Sequence, residues 1–124
     1  MRFSLIGTGF IFPTHAAAIR DVGGDIVDVV NEARGPDAWR EMVKSTSADC
    51  IVILTPNDLH FDMAMAAAAH GKIVLCEKPL CIKSEDVKTL AEKLNIFTVL
   101  QLRHHPLVQR LKSEIASDRR YSVE

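Results

Sequence analysis

Apolar residues in this chain gather into five short runs, Phe3–Ile6, Ile26–Val30, Cys50–Leu54, Ile73–Cys76 and Phe97–Leu102. Most are unbroken Val/Ile/Leu stretches rather than alternating ones, the pattern of strands covered on both faces. Between them the period changes to that of helices. Thr14–Arg20 opens just after Pro13, and Asp37–Lys44 sets Trp39, Met42 and Val43 on one face. The alanine-rich Leu59–His70 stops at Gly71, a favoured residue just past a helix end. In Ser84–Leu94, Val87, Leu90, Ala91 and Leu94 recur at helical spacing after an acidic first turn. Pro106 opens a last helix to about Ala116, and polar residues follow to Glu124.

Strand and helix alternate from end to end. This predicts one α/β domain over residues 1–124, a Rossmann-type parallel sheet of about five strands with helices on both faces. One link is too short for the usual topology. Between Val30 and Cys50 there is room for one helix but not for helix, strand and second helix. The outer third strand of a doubly wound sheet is therefore expected to be missing, giving strand order 2-1-3-4-5 with the second strand at an edge. The right-handed crossover rule then puts helix 37–44 on the face opposite helix 14–20, leaving the latter face thinly covered.

Composition narrows the function classes. The formal charge is −1 and the basic residues are scattered, so neither nucleic acid nor a membrane surface has electrostatic support as a partner. Cys50, Cys76 and Cys81 form no C-x-x-C pair and are odd in number, as in a reducing compartment. Arg2, the apolar run to Phe12 and Ala16–Ala18 imitate a secretory leader, but Gly7 and Gly9 interrupt the run. No apolar stretch is long enough to span a bilayer. A cytoplasmic location is expected.

The chemistry-bearing residues cluster where strands end. Gly7-Thr8-Gly9-Phe10-Ile11-Phe12 follows the first strand and leads into a helix. Glycines there let the backbone turn tightly and approach a pyrophosphate at the helix N-terminus. Phe12 stands where G-x-G-x-x-G has its third glycine, which implies wider helix–strand spacing or a ring turned toward the cofactor. After the second strand come Asn31, Glu32 and Arg34. Asn31 can hydrogen-bond a ribose hydroxyl, Glu32 can supply the carboxylate that favours NAD, and Arg34 can instead meet the 2′-phosphate of NADP. Thr55-Pro56-Asn57-Asp58-Leu59-His60 follows the third strand, where open sheets bind ligands; Asn57 or Asp58 can equally cap the helix.

Cys76-Glu77-Lys78-Pro79 ends the fourth strand. A lysine that accepts a proton must titrate well below its usual ~10.4, through burial or neighbouring positive charge. Arg103, His104 and His105, in Gln101-Leu102-Arg103-His104-His105-Pro106 at the end of the fifth strand, are placed to supply that charge. Adjacent histidines on an extended chain face opposite ways and have no ligand partner at metal spacing, so no metal is expected. His15, early in the first helix, reads as a polar packing residue or a cofactor contact.

Together these strings resemble the glucose–fructose oxidoreductase / inositol dehydrogenase (Gfo/Idh/MocA) family. Gly7-Thr8-Gly9-Phe10-Ile11 with His15, Thr55-Pro56-Asn57 with His60, and Glu77-Lys78-Pro79 carry the resemblance. Gln101–His105 is similar to the UDP-N-acetylglucosaminuronate 3-dehydrogenase branch. The resemblance implies that Gly7, Gly9, Phe10 and Ile11 hold the pyrophosphate, and that Thr55, Pro56, Asn57, His60, Asn31 and Gln101 belong to the cofactor site. Glu77 and Lys78 would complete the cofactor site, Glu77 facing the nicotinamide ribose and Lys78 standing beside the reacting carbon, where it would also meet the substrate. The implied cofactor is NAD, with NADP left open. The implied reaction is reversible oxidation of a sugar or nucleotide-sugar hydroxyl, with Lys78 assisting the proton and Arg103, His104 and His105 meeting an anionic substrate. Phe12, Asn31 and the short 31–49 segment depart from the family pattern. The family's C-terminal domain, which carries much of the substrate pocket and the homo-oligomer interface, is expected to be absent from this chain. That leaves a truncated nucleotide-binding module without turnover as the alternative.

Overall fold

The computed structural model describes residues 1–117; the polar residues 118–124 lie outside it. Five strands form one sheet: β1 (Arg2–Ile6), β2 (Asp25–Val30), β3 (Cys50–Ile53), β4 (Ile73–Cys76) and β5 (Ile96–Thr98). Every pairing is parallel and the order is β2-β1-β3-β4-β5. The helices are α1 (Phe12–Asp21), α2 (Ala38–Ser45), α3 (His60–Ala69), α4 (Ser84–Ala91) and α5 (Pro106–Ser117). The short link between Val30 and Cys50 holds α2 and no strand, so β2 is an edge, as its length predicts.

Side-chain alternation along the strands divides the core into two layers. Ile6, Ile51, Ile53, Val74 and Cys76 pack with Trp39, Met42 and Val43 of α2 and Met63, Ala64 and Ala67 of α3. Phe3, Leu5, Cys50, Val52 and Leu54 pack against Ile19 of α1. The second layer thins toward β4 and β5. Ile73 and Leu75 are half-buried there, and Phe97, in register with Leu75, is 51% exposed. No helix among the described residues is long and apolar enough to cross a membrane.

A polar knot secures the short link. The Thr46 hydroxyl donates to Asp28 Oδ2 at 2.7 Å and accepts from the Ser4 hydroxyl at 2.7 Å and from the Ala48 N–H at 3.2 Å. Lys72 Nζ donates to the Thr46 and Ala48 carbonyls at 3.1 and 2.8 Å. Ser4 and Thr46 are buried, so these bonds replace the water they give up.

Two elements differ from the sequence expectation. α4 ends at Ala91 rather than Leu94, and Leu94 is exposed because the helix has stopped before its face returns to the core. β5 ends at Thr98 rather than Leu102, since Gln101–His104 forms a 3-10 turn. An apolar run cannot by itself separate strand from turn.

Burial pushes the Cys50 thiol up to about 11 and the Cys76 thiol up to about 12. Unfolded, both ionise near the ordinary value, so stability should decline as pH rises above about 9 toward those folded values. A thiol reagent at pH 8 should label half-buried Cys81 in the native protein and reach Cys50 and Cys76 only with denaturant. Equal native rates at all three would contradict the packing.

Candidate dinucleotide site

The sheet register sets the site. Val30, Ile6, Ile53, Cys76 and Thr98 are cross-strand partners, so the carboxyl ends of all five strands lie on one line. The ladder runs one residue further: Gly7 N–H donates to the Val30 carbonyl, Leu54 N–H to Ile6, Glu77 N–H to Ile53 and Val99 N–H to Cys76, at 2.8–3.0 Å. The strings singled out in the sequence therefore leave the sheet side by side. α1 and α2 depart to opposite faces at β1, the kind of switch point where open α/β sheets take ligands.

Gly7 has φ +99°, and a Cβ there would lie 2.7 Å from the Leu54 carbonyl oxygen. Only glycine fits. Gly9 is different: a Cβ built on it meets nothing within 4 Å. The space over Gly9 is where a pyrophosphate would come down on the turn, so the loop passes a direct test of fit to a dinucleotide. Phe10 is 98% exposed at the tip of the turn. Ile11 and Phe12 pack against the core layer of Leu5, Ile19 and Leu54, and neither lines the cofactor cleft.

A cleft of about 610 Å³ opens along the same edge, within the ~300–1,000 Å³ of typical small-ligand sites. Gly7–Gly9 form its centre; Asn31–Ala33, Gly35, Pro36 and Trp39 one end; and Thr55, Pro56 and Leu59 another wall. The Asn31 amide donates to the Thr8 hydroxyl at 3.1 Å, tying the end of β2 to the glycine turn. Asn57 begins a short 3-10 turn outside the cleft wall. Neither Asn57 nor Asp58 caps a helix, because Pro56 and Leu59 occupy the cap positions.

His60 is buried behind the loops after β3 and β4. It is 0% exposed, with its ring nitrogens 2.7 Å from the Pro79 carbonyl oxygen and 2.8 Å from that of Thr55. The ring thus sits between the loops after β3 and β4, its N–H donating to one of the two carbonyls. His60→Ala should cost about 2–4 kcal/mol in chemical denaturation, from the cavity and the stranded carbonyl. A loss below about 0.5 kcal/mol would show that the ring carries no load.

Next along the edge, His15 Nε2 of α1 donates to Glu77 Oε1 at 2.7 Å, with both side chains largely buried. Glu77 Oε2 accepts the Lys78 N–H at 3.2 Å. The carboxylate is thus fixed from two sides, and the Lys78 side chain stands exposed beyond β4, ahead of the cis Lys78–Pro79 bond. The sequence left His15 between packing and cofactor contact. Its partner is far away along the chain, and no local spacing signals the pair.

Gln101, Arg103, His104 and His105 do not lie on a strand. They are exposed on the 3-10 turn after β5, with His105 just past its end, and stand outside the cleft wall. His105 Nδ1 accepts the Leu107 N–H at 3.2 Å, so its ring caps α5. A second depression of about 420 Å³, between Leu80 and α4, shares no residue with the cleft.

Residues 1–96 match the model of the Gfo/Idh/MocA oxidoreductases, described as an NAD-binding Rossmann fold. The chain belongs to the Gfo/Idh/MocA family. As a Gfo/Idh/MocA domain it is an NAD-binding domain. The 1,5-anhydro-D-fructose reductase of Ensifer adhaerens is 30% identical over 122 residues, which is 84% of this chain and 36% of that protein. A scyllo-inositol 2-dehydrogenase (NADP(+)) of Bacillus subtilis is 31% identical over 105 residues, 73% of this chain and 32% of that protein. The chain thus spans about a third of the length of these relatives. Among solved structures, the WlbA dehydrogenase of Bordetella pertussis, in complex with NADH and UDP-GlcNAcA, matches with a TM-score of 0.83 at 28% identity. That match covers 94% of this chain and 42% of that one. The WlbA (WbpB) dehydrogenase of Thermus thermophilus, with NAD and UDP-GlcNAcA, matches with a TM-score of 0.74 at 27% identity, covering 94% and 47%.

Proposed function

We propose that this domain supplies the dinucleotide site and the proton-transferring lysine of a dehydrogenase that oxidises a hydroxyl of a sugar, of the nucleotide-sugar acid type. One observation carries the reading. The open glycine turn, the cleft walls and the Glu77–Lys78 tip leave adjacent strands along a single edge. NAD, when bound, supplies the hydride acceptor. Gly7 and Gly9 admit its pyrophosphate, and Thr55 and Pro56 line its path. Glu77, held by His15, faces the nicotinamide-side ribose and fixes the backbone at Lys78. The Lys78 amine takes the hydroxyl proton as the carbon loses its hydride, so the alcohol becomes a carbonyl and the balance closes.

Arg103 and His104 are the residues to meet an anionic substrate, because His105 is engaged in capping α5. The planar guanidinium suits a uronate or a diphosphate. The WlbA neighbours crystallised with UDP-GlcNAcA support that substrate class.

The test is calorimetry with NADH, followed by an assay of NAD⁺ reduction with a UDP-sugar acid. Heat of binding and substrate-dependent reduction are expected. Binding without reduction would point instead to a dinucleotide-binding module without turnover. Absence of binding would end the reading.

A further inference from the structure

The first turn of α1 is tied to two strand tips that are not neighbours in the sheet. At its start the Phe12 N–H donates to the Gly9 carbonyl at 3.1 Å, and the His15 N–H donates to the Ile11 carbonyl at 3.3 Å. His15 therefore stands one helical turn beyond the backbone groups that a pyrophosphate would meet. Its side chain reaches the other way, to Glu77 after β4. β3 lies between β1 and β4, so this single bond bridges the tip of the strand between them.

The bridge is short and sheltered. The His15 and Glu77 side chains are only 18% and 15% exposed. A carboxylate can only accept, so the ring nitrogen donates, and a bond to a charged acceptor is stronger than a neutral one. The second carboxylate oxygen accepts the Lys78 N–H, while the Glu77 N–H continues the ladder to the Ile53 carbonyl. Among the described residues His15 is the one side chain bonded to Glu77. Without it the carboxylate is free to swing, and the Lys78 N–H loses its acceptor.

We propose that His15 is a positioning residue that couples the two ends of the site. A diphosphate seated on the Gly7–Ile11 turn steadies the first turn of α1, His15 steadies Glu77, and Glu77 steadies the backbone at Lys78. The proposal rests on the dinucleotide reading and goes beyond it. It makes the lysine tip respond to the half of the dinucleotide that never touches it. The coupling runs through contiguous hydrogen bonds, and its currency is the ordering of the tip rather than a change of shape. The lysine is thereby held in place before a substrate arrives.

ADP is the probe, because it carries adenosine and the diphosphate but neither nicotinamide nor the second ribose, and so has nothing to reach Glu77. Amide hydrogen exchange is followed residue by residue by NMR. Saturating ADP is expected to slow exchange of the Lys78 N–H at least ~5-fold in the wild type. In His15→Ala the effect at Lys78 should fall below about twofold, while calorimetric ADP affinity stays within about threefold. His15→Gln, whose amide can donate to the same carboxylate oxygen, should restore the protection. Exchange at Val52 and Val74, buried in the sheet, checks the fold of each variant.

Equal ADP protection of Lys78 in wild type and His15→Ala overturns the role of His15. Failure of His15→Gln to restore it overturns the hydrogen bond as the link. Faster exchange spread to Val52 and Val74 in His15→Ala makes His15 a residue of the fold and overturns the positioning role. ADP binding that leaves Lys78 unchanged in the wild type overturns the coupling and leaves the dinucleotide site standing. Absence of ADP binding overturns the proposal together with the reading beneath it.

Discussion

Gly9→Val should lose NADH binding by at least ~100-fold while its thermal melting midpoint stays within a few degrees of wild type. The two halves of this expectation have separate causes. A Cβ on Gly9 meets no protein atom within 4 Å, and the residue has no positive φ, so the folded state accepts valine without a clash. The same empty space is the approach to the turn, and branched methyl groups there hold a pyrophosphate off the backbone N–H groups. Gly7→Ala makes the contrast. At φ +99°, with its Cβ forced to 2.7 Å from the Leu54 carbonyl oxygen, it should cost about 1–3 kcal/mol or more of stability. Calorimetry and thermal denaturation on both variants decide the matter. A Gly9→Val protein that binds NADH like wild type would remove the turn from the cofactor site.

Lys78→Ala should lower the rate of NAD⁺-dependent oxidation of a UDP-sugar acid by ~10²–10⁴-fold and leave NADH affinity nearly unchanged. The split follows from where the side chain stands. Lys78 is exposed beyond β4 and outside the residues that line the cleft, so its removal leaves the glycine turn and the cleft walls in place. On the proposed mechanism its loss leaves the substrate hydroxyl without a proton acceptor. The backbone at this point is held by Glu77, and Glu77 by His15, so the variant should keep the local fold. Turnover within about threefold of wild type would assign the proton to another group.

Most of the architecture was legible because the sequence sets its strands as unbroken apolar runs and its helices at a different period. The strand order followed from one length, the room between Val30 and Cys50, combined with the handedness of crossovers. Residues that act through local backbone geometry were legible as well. Gly7 needs its positive φ, and Glu77-Lys78-Pro79 sits at a strand tip where it was expected. What escaped were pairings between distant residues. His15 with Glu77, Thr46 with Asp28 and Ser4, and His60 with the loops after β3 and β4 depend on how helices and loops settle on the sheet. Gln101–His105 escaped for another reason. Phe97–Leu102 is apolar enough for a strand, and only the fold shows that the pairing stops at Thr98.

The sheet ends at β2, whose outer side offers main-chain donors and acceptors to any strand that drifts alongside. Asp25 and Asp28 stand within its six residues. A second copy docking there would bring its own carboxylates against them. The missing outer strand thus leaves the sheet a border with two carboxylates in its six residues, a charge that opposes its pairing with a second copy of itself.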